Sequence, residues 1–156
     1  MQTPFSVLSL KSLNEDPQTF SKELGKNFRD SGFCGIKDHG IDTKLVNEVQ
    51  DLMKRFFDLP EETKRSYFKP ELNGARGYTP FKIETPKDAN LADLKEFWHV
   101  GRELDKDDPF KQWMPDNLDI PDLNMFKEKT NDLFFQFDEL GQQLLEAIAL
   151  ELNLNS

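Results

Sequence analysis

His39 and Asp42 close the stretch Ser-Gly-Phe-Cys-Gly-Ile-Lys-Asp-His-Gly-Ile-Asp that begins at Ser31, and a histidine near a carboxylate is a candidate metal site. The spacing argues against that use. Strand side chains alternate, so ligands two apart share a face and ligands three apart do not. Asp42 also has a better role as the cap of the helix that follows. The other histidine of the chain, His99, lies in Glu96-Phe-Trp-His-Val-Gly101; Glu96 is again three residues away, and no acid stands two residues after the histidine. His39 therefore reads as a structural histidine at a strand-to-helix turn, its ring bonded to backbone and Gly40 permitting a tight bend. His99 reads as a strand residue near the core, or as one that faces an active site if a further part of the molecule supplies one. Cys34 is the single cysteine; it can form no disulfide within the chain, which suits a reducing compartment. Set in an apolar run, it reads as a small buried hydrophobe rather than a reactive thiol. A metal or redox enzyme built on His39, His99 and Cys34 is the least supported reading, and metal titration is its test.

The elements that position these residues follow from patterning. Phe5–Leu10 reads as a short strand. Asp16-Pro17 opens a helix with an acidic cap and a proline at its first position; Phe20, Leu24 and Phe28 form its apolar face, and Gly32 ends it. Phe33–Lys37 is a short strand. Asp42 caps a second helix with Leu45, Val49, Leu52, Met53 and Phe56 on one face. Pro60 starts a short third helix, with Glu61 and Glu62 in its first turn and Lys64-Arg65 after them. Residues 77–81 and 96–101 are candidate strands. The Asp- and Pro-rich segment from Asp105 to Leu123 is a connection. A long helix is expected from near Pro121 to about Leu152, with Phe126, Leu133, Phe137 and Leu144 forming an apolar stripe that something must cover. Few strands and several helices make the fold class α+β, with too few strands for an independent central sheet.

Composition narrows the function classes. The 156 residues fit one domain, with 31% charged and 37% hydrophobic residues and 14 phenylalanines. So many aromatics argue against disorder. The net charge of −9, with bases scattered among acids, excludes the basic face that a phosphate-backbone binder needs. No apolar run approaches the roughly 18 residues that span a membrane, and no basic leader precedes an apolar segment. The expected location is cytoplasmic, with neither nucleic acid nor membrane as partner.

Four motifs in order carry a family resemblance. Gly32-Phe33-Cys-Gly-Ile-Lys-Asp-His39-Gly40-Ile-Asp is similar to a Gly-Phe-Phe-x-x-x-Asn-His-Gly-Ile signature, and residues 56–67, Phe-Phe-Asp-Leu-Pro60-Glu-Glu-Thr-Lys-Arg-Ser-Tyr, follow a Phe-Phe-x-Leu-Pro-x-Glu-x-Lys pattern. Asn73-Gly-Ala-Arg76-Gly-Tyr78-Thr-Pro-Phe resembles an Arg-Gly-Tyr segment, and residues 93–104, Asp-Leu-Lys-Glu-Phe-Trp-His-Val-Gly-Arg-Glu-Leu, resemble an Asp-x-Lys-Glu-x-Phe strand. Together they resemble the N-terminal region of the isopenicillin N synthase-like non-haem iron(II)/2-oxoglutarate-dependent dioxygenases. Two positions depart from the family pattern. Position 38 is Asp in place of Asn, and the substrate-binding arginine of the penicillin-forming members stands where this chain has Ala75, so that role is not carried onto Arg76.

The resemblance implies a dioxygenase N-terminal domain over 1–156, with the signature motifs in 1–115 and the long backbone helix in 116–156. In the family, these elements pack on and join a double-stranded β-helix (jelly-roll) barrel, most of which is absent from this sequence. It also implies iron(II) and 2-oxoglutarate as cofactors of the complete enzyme, which decarboxylates 2-oxoglutarate and oxidises a substrate C–H bond. The family's iron ligands are His-x-Asp and a distal histidine, and an Arg-x-Ser clamps 2-oxoglutarate. No His-x-Asp occurs here, and the one Arg-x-Ser, Arg29-Asp30-Ser31, precedes both histidines, whereas the family's clamp follows the distal histidine. The chain is therefore expected to hold no catalytic residue, metal or cofactor of its own, and to be inactive alone. Gly32, Phe33, His39, Gly40 and Pro60 are expected to be structural, and Arg76 and Tyr78 to border the substrate pocket. The expected partner is a catalytic barrel from the same or a separate chain, with self-association through the apolar helix face as the other use of that surface. The alternative is a stand-alone interaction module, which should polarise its last helix and cap its open strands.

Overall fold

A computed structural model describes residues 5–154 apart from 86, 88 and 89. Two compact units make up the chain, one from residues 1–41 and 136–156 and the other from residues 42–135. In the first unit, β1 (Val7–Ser9) pairs in parallel with β2 (Gly35–Lys37), Leu8 opposite Ile36. A short helix the patterning does not announce, α1 (Lys11–Glu15), leads into α2 (Pro17–Ser31). The Asp16 carboxylate accepts the Thr19 N–H at 3.0 Å, Pro17 fills the first turn, and Gly32 ends α2 at φ +75°, a left-handed cap that favours glycine. The core of this unit joins Leu10, Phe20 and Leu24 to Ala147, with Leu140, Leu144, Ile148 and Cys34 packed around them.

The second unit holds α3 (Thr43–Phe57), α4 (Glu61–Arg65), a 3-10 turn at Pro70–Leu72 and the antiparallel pair β3 (Gly77–Thr79) and β4 (Phe97–His99). Asp42 caps α3 through the Lys44 N–H at 2.8 Å. Phe56 is the hub of the core: Tyr67, Tyr78 and Trp98 meet its ring edge-on at centroid distances of 5.9, 5.6 and 4.8 Å. Leu52, Ile120, Leu123 and Phe126 complete the cluster.

The long helix, α5 (Phe126–Glu151), starts later than its apolar periodicity suggests. Residues 120–126 instead make two successive tight turns, Leu123 N–H to Ile120 O and Phe126 N–H to Leu123 O, and Met125 sits at φ +59°. A left-handed residue cannot continue a right-handed helix, so α5 begins only at Phe126. Its stripe is not uniform. Phe126 is fully buried and Leu144 packs in a core, whereas Phe137 is 52% exposed, with Phe135 and Leu145 exposed near it in sequence. The four strands lie in two separate two-stranded ladders, with no closed barrel among the described residues. No helix among them is long and apolar enough to cross a membrane.

Candidate functional site

The second, third and fourth motifs meet at one point. Lys64 comes from the Leu-Pro-x-Glu-x-Lys turn, Tyr78 from Arg-Gly-Tyr and Glu96 from Lys-Glu-x-Phe. The Lys64 ammonium donates to both Glu96 carboxylate oxygens at 2.9 and 2.8 Å and to the Phe57 carbonyl at 3.2 Å. The Tyr78 hydroxyl donates to Glu96 Oε2 at 2.5 Å. Both charged side chains are nearly buried, 9% and 14% exposed. A buried pair of this kind persists only when the remaining donors and acceptors are satisfied, and Phe57 O and Tyr78 OH do that here. Burial, and then the adjoining Glu96 carboxylate, push the Tyr78 phenol well above its ordinary range. The phenol is thus held protonated as a donor; it is no base at neutral pH.

Strand alternation sorts the neighbours. Tyr78 and Trp98 are cross-strand partners on the core face, and Gly77, Thr79, Phe97 and His99 share the other face. The Arg76 guanidinium is 9% exposed and donates to the carbonyls of Ala75 (2.7 Å) and Arg102 (3.2 Å), while its Nε has no partner. Burial lowers its pKa. It lies flat against Gly101, where a Cβ would fall 2.2 Å from its Cζ. Asn117 holds that strand end by pairing with both the N–H and the C=O of Gly101, at 2.9 and 2.7 Å. Glu103 accepts the Asn117 N–H at 3.1 Å and the Lys127 ammonium at 2.8 Å. Burial raises its pKa, but these donors outweigh that and hold it below the usual value.

The histidines do backbone work. His39 Nδ1 accepts the Ile41 N–H at 3.1 Å, with Gly40 at φ +76°; the neutral ring therefore carries its proton on Nε2. His99 Nδ1 bonds the Gly74 carbonyl, which makes Nδ1 the donor there. Cys34 is half-buried, and burial pushes its thiol up. Phe33 is exposed, and Pro60 is the residue that caps α4 rather than its first helical residue. No cluster of three or more His, Cys, Asp or Glu that could hold a metal occurs among the described residues.

Arg76 and Tyr78, the two residues expected at a pocket border, have interior side chains. Patterning also hides Lys64, which reads as one more surface base. Its signal is positional: four residues after Pro60 and three before Tyr67, it falls on the apolar side of a helical turn, where a lysine needs a buried counter-charge.

The described residues thus form two small ladders and five α-helices around a buried polar network. Residues 5–122 match the family described as "non-haem dioxygenase in morphine synthesis N-terminal", and the chain belongs to that family. It is 29% identical over 153 residues to 1-aminocyclopropane-1-carboxylate oxidase of Dictyostelium mucoroides, spanning 95% of this chain and 41% of that protein. It is 32% identical over 151 residues to the 2-oxoglutarate-dependent dioxygenase frbA of Dothideomycetidae sp. (strain 11243), spanning 89% and 43%. The crystal structure of a 2OG-Fe(II) oxygenase family protein from Caulobacter crescentus superposes with a TM-score of 0.85 at 38% identity, covering 99% of this chain and 50% of that one. The chain thus spans about half the length of the relatives it matches or less.

Proposed function

We propose that this chain is the N-terminal part of a non-haem iron(II)/2-oxoglutarate-dependent dioxygenase and works with a catalytic jelly-roll barrel supplied by the same or a separate chain. The observation that carries this reading is one of coverage. The match runs over 95% of this chain but only 41% of the Dictyostelium relative. The residues present do not fit the metal. His39 and His99 each spend Nδ1 on a backbone group, and no cluster of ligands is available among the described residues. No catalytic step is therefore assigned to this chain. Its contribution is architectural: it supplies outer helices, a rigid β3–β4 hairpin and one wall of the substrate mouth. The exposed Phe137 and Leu145 of α5 are apolar surface for such a barrel to cover. A stand-alone module would have polar side chains there.

The test is a chimera in which this chain replaces the matched half of the Caulobacter protein. The folded chimera is expected to release CO2 from 2-oxoglutarate in an iron(II)-dependent manner, and the isolated chain is not. A folded chimera with no turnover, or turnover by the chain alone, would overturn the reading.

A further inference from the structure

A pocket of about 270 Å³ opens beside β3, with Phe68, Pro70 and Ile83 as apolar walls and the Gly74 turn and Thr79 among its lining. Thr79 is 2% exposed and its hydroxyl has no hydrogen-bond partner. That hydroxyl lies toward Gly74, 3.5 Å from where a Cβ on that glycine would stand. A buried hydroxyl left unpaired is costly, and such orphans call for an explanation. The turn beside it is anchored from the other strand by His99, which donates to the Gly74 carbonyl. Among the described lining residues the one charged side chain is Glu84, paired with Lys95 at 3.1 Å, and Lys95 also binds Asp93 at 3.0 Å. The described lining therefore presents no cation to an anion.

From this geometry we infer that the pocket is a binding site for a compact neutral molecule with an apolar body and one hydrogen-bonding group, and that the Thr79 hydroxyl is the group that recognises it. Phe68, Pro70 and Ile83 take the apolar body. Thr79, which can donate or accept, takes the polar end after a small displacement of the Gly74 turn. Calling that molecule the oxygenase substrate rests on the proposed function; the pocket and its chemistry do not. Arg76 and Tyr78 then act from behind, holding β3 in place, and the recognising side chain of the segment is their neighbour.

The experiment is an NMR titration of the ¹⁵N-labelled 156-residue chain with benzyl alcohol and, separately, benzoate. Benzyl alcohol is expected to give saturable shifts at the amides of Gly74, Thr79 and Ile83, with benzoate at least about fivefold weaker. Thr79→Val should weaken benzyl alcohol about tenfold, the loss of one hydrogen bond. Ile83→Trp, on the exposed rim, should fill the space and abolish the shifts. Shifts spread over other surfaces, equal binding of benzoate, or wild-type binding by both variants would overturn the inference. Because no barrel is present, this result is independent of the chimera: pocket binding with an inactive folded chimera removes the oxygenase reading and leaves the pocket standing.

Discussion

Removing one charge from the Lys64–Glu96 pair should destabilise the fold far more than removing both. Glu96→Gln keeps the side-chain shape and an oxygen for the Tyr78 hydroxyl. It removes the counter-charge and one of the two carboxylate contacts, which are 2.9 and 2.8 Å long, and leaves the ammonium the amide oxygen it shares with Tyr78 and the Phe57 carbonyl. Lys64 is 7% exposed, so water cannot replace what is lost. Breaking one side of a buried pair costs about 3–5 kcal/mol. For a domain of this size each kcal/mol lowers Tm by roughly 2–4 °C, so the midpoint should fall by about 6–20 °C. Lys64→Met leaves Glu96 charged with only the Tyr78 donor and should cost a similar amount. The double variant Lys64→Met/Glu96→Gln buries no charge and should recover about 2 kcal/mol or more of the summed loss. The assay is urea unfolding followed by Trp98 fluorescence, since that indole packs against Phe56 and Phe126 at 4.8 and 5.1 Å. A single-variant cost below about 1 kcal/mol, the range of exposed pairs, or simple additivity in the double variant would refute a buried, coupled network.

Other outcomes follow from the same geometry. Gly101→Ala should cost about 1–3 kcal/mol, because the new methyl falls on the Arg76 guanidinium; adding Arg76→Ala should relieve the steric part, and chemical denaturation of the single and double variants checks this. Thr79→Val removes an unpartnered hydroxyl and should be neutral or stabilising by up to about 1 kcal/mol, read as an unchanged or raised Tm. The chain has two tyrosines, and burial raises the phenol pKa of both, with Glu96 adding to the shift at Tyr78. A raised folded pKa contributes stability that is complete below the unfolded value near 10 and is lost as pH rises beyond it. Phenolate absorbance should therefore appear at higher pH in the folded chain than in the urea-unfolded chain, and coincident titration of the two would contradict this. Glu103 behaves oppositely: its folded pKa is held down by Lys127 and Asn117, so its contribution is present above its unfolded pKa and is lost as the solution is acidified. Glu103→Gln should flatten the acid limb of a stability–pH profile.

Local signals made the helices legible. Asp16, Pro17 and Gly32 mark the ends of α2, and Asp42 caps α3, because caps and left-handed ends depend on residues adjacent in the chain. The start of α5 was not legible, since the apolar spacing runs back toward Pro121 and only the positive φ of Met125 stops the helix. The site was readable as motifs and not as contacts. Lys64 and Glu96 are 32 residues apart, and no periodicity links them; they meet only in the folded chain, beside the Tyr78 ring and hydroxyl. For Arg76 and Tyr78 the resemblance implies a segment that borders the pocket; both side chains are buried, and strand alternation puts Thr79 on the face opposite Tyr78.

The claim that this chain supplies architecture and no iron ligand is tested most directly by anaerobic equilibrium dialysis of the folded chain against iron(II), with and without 2-oxoglutarate. No stoichiometric retention of iron at micromolar concentration is expected under either condition. One equivalent of iron held by the wild-type chain, and lost in His39→Ala or His99→Ala, would contradict it.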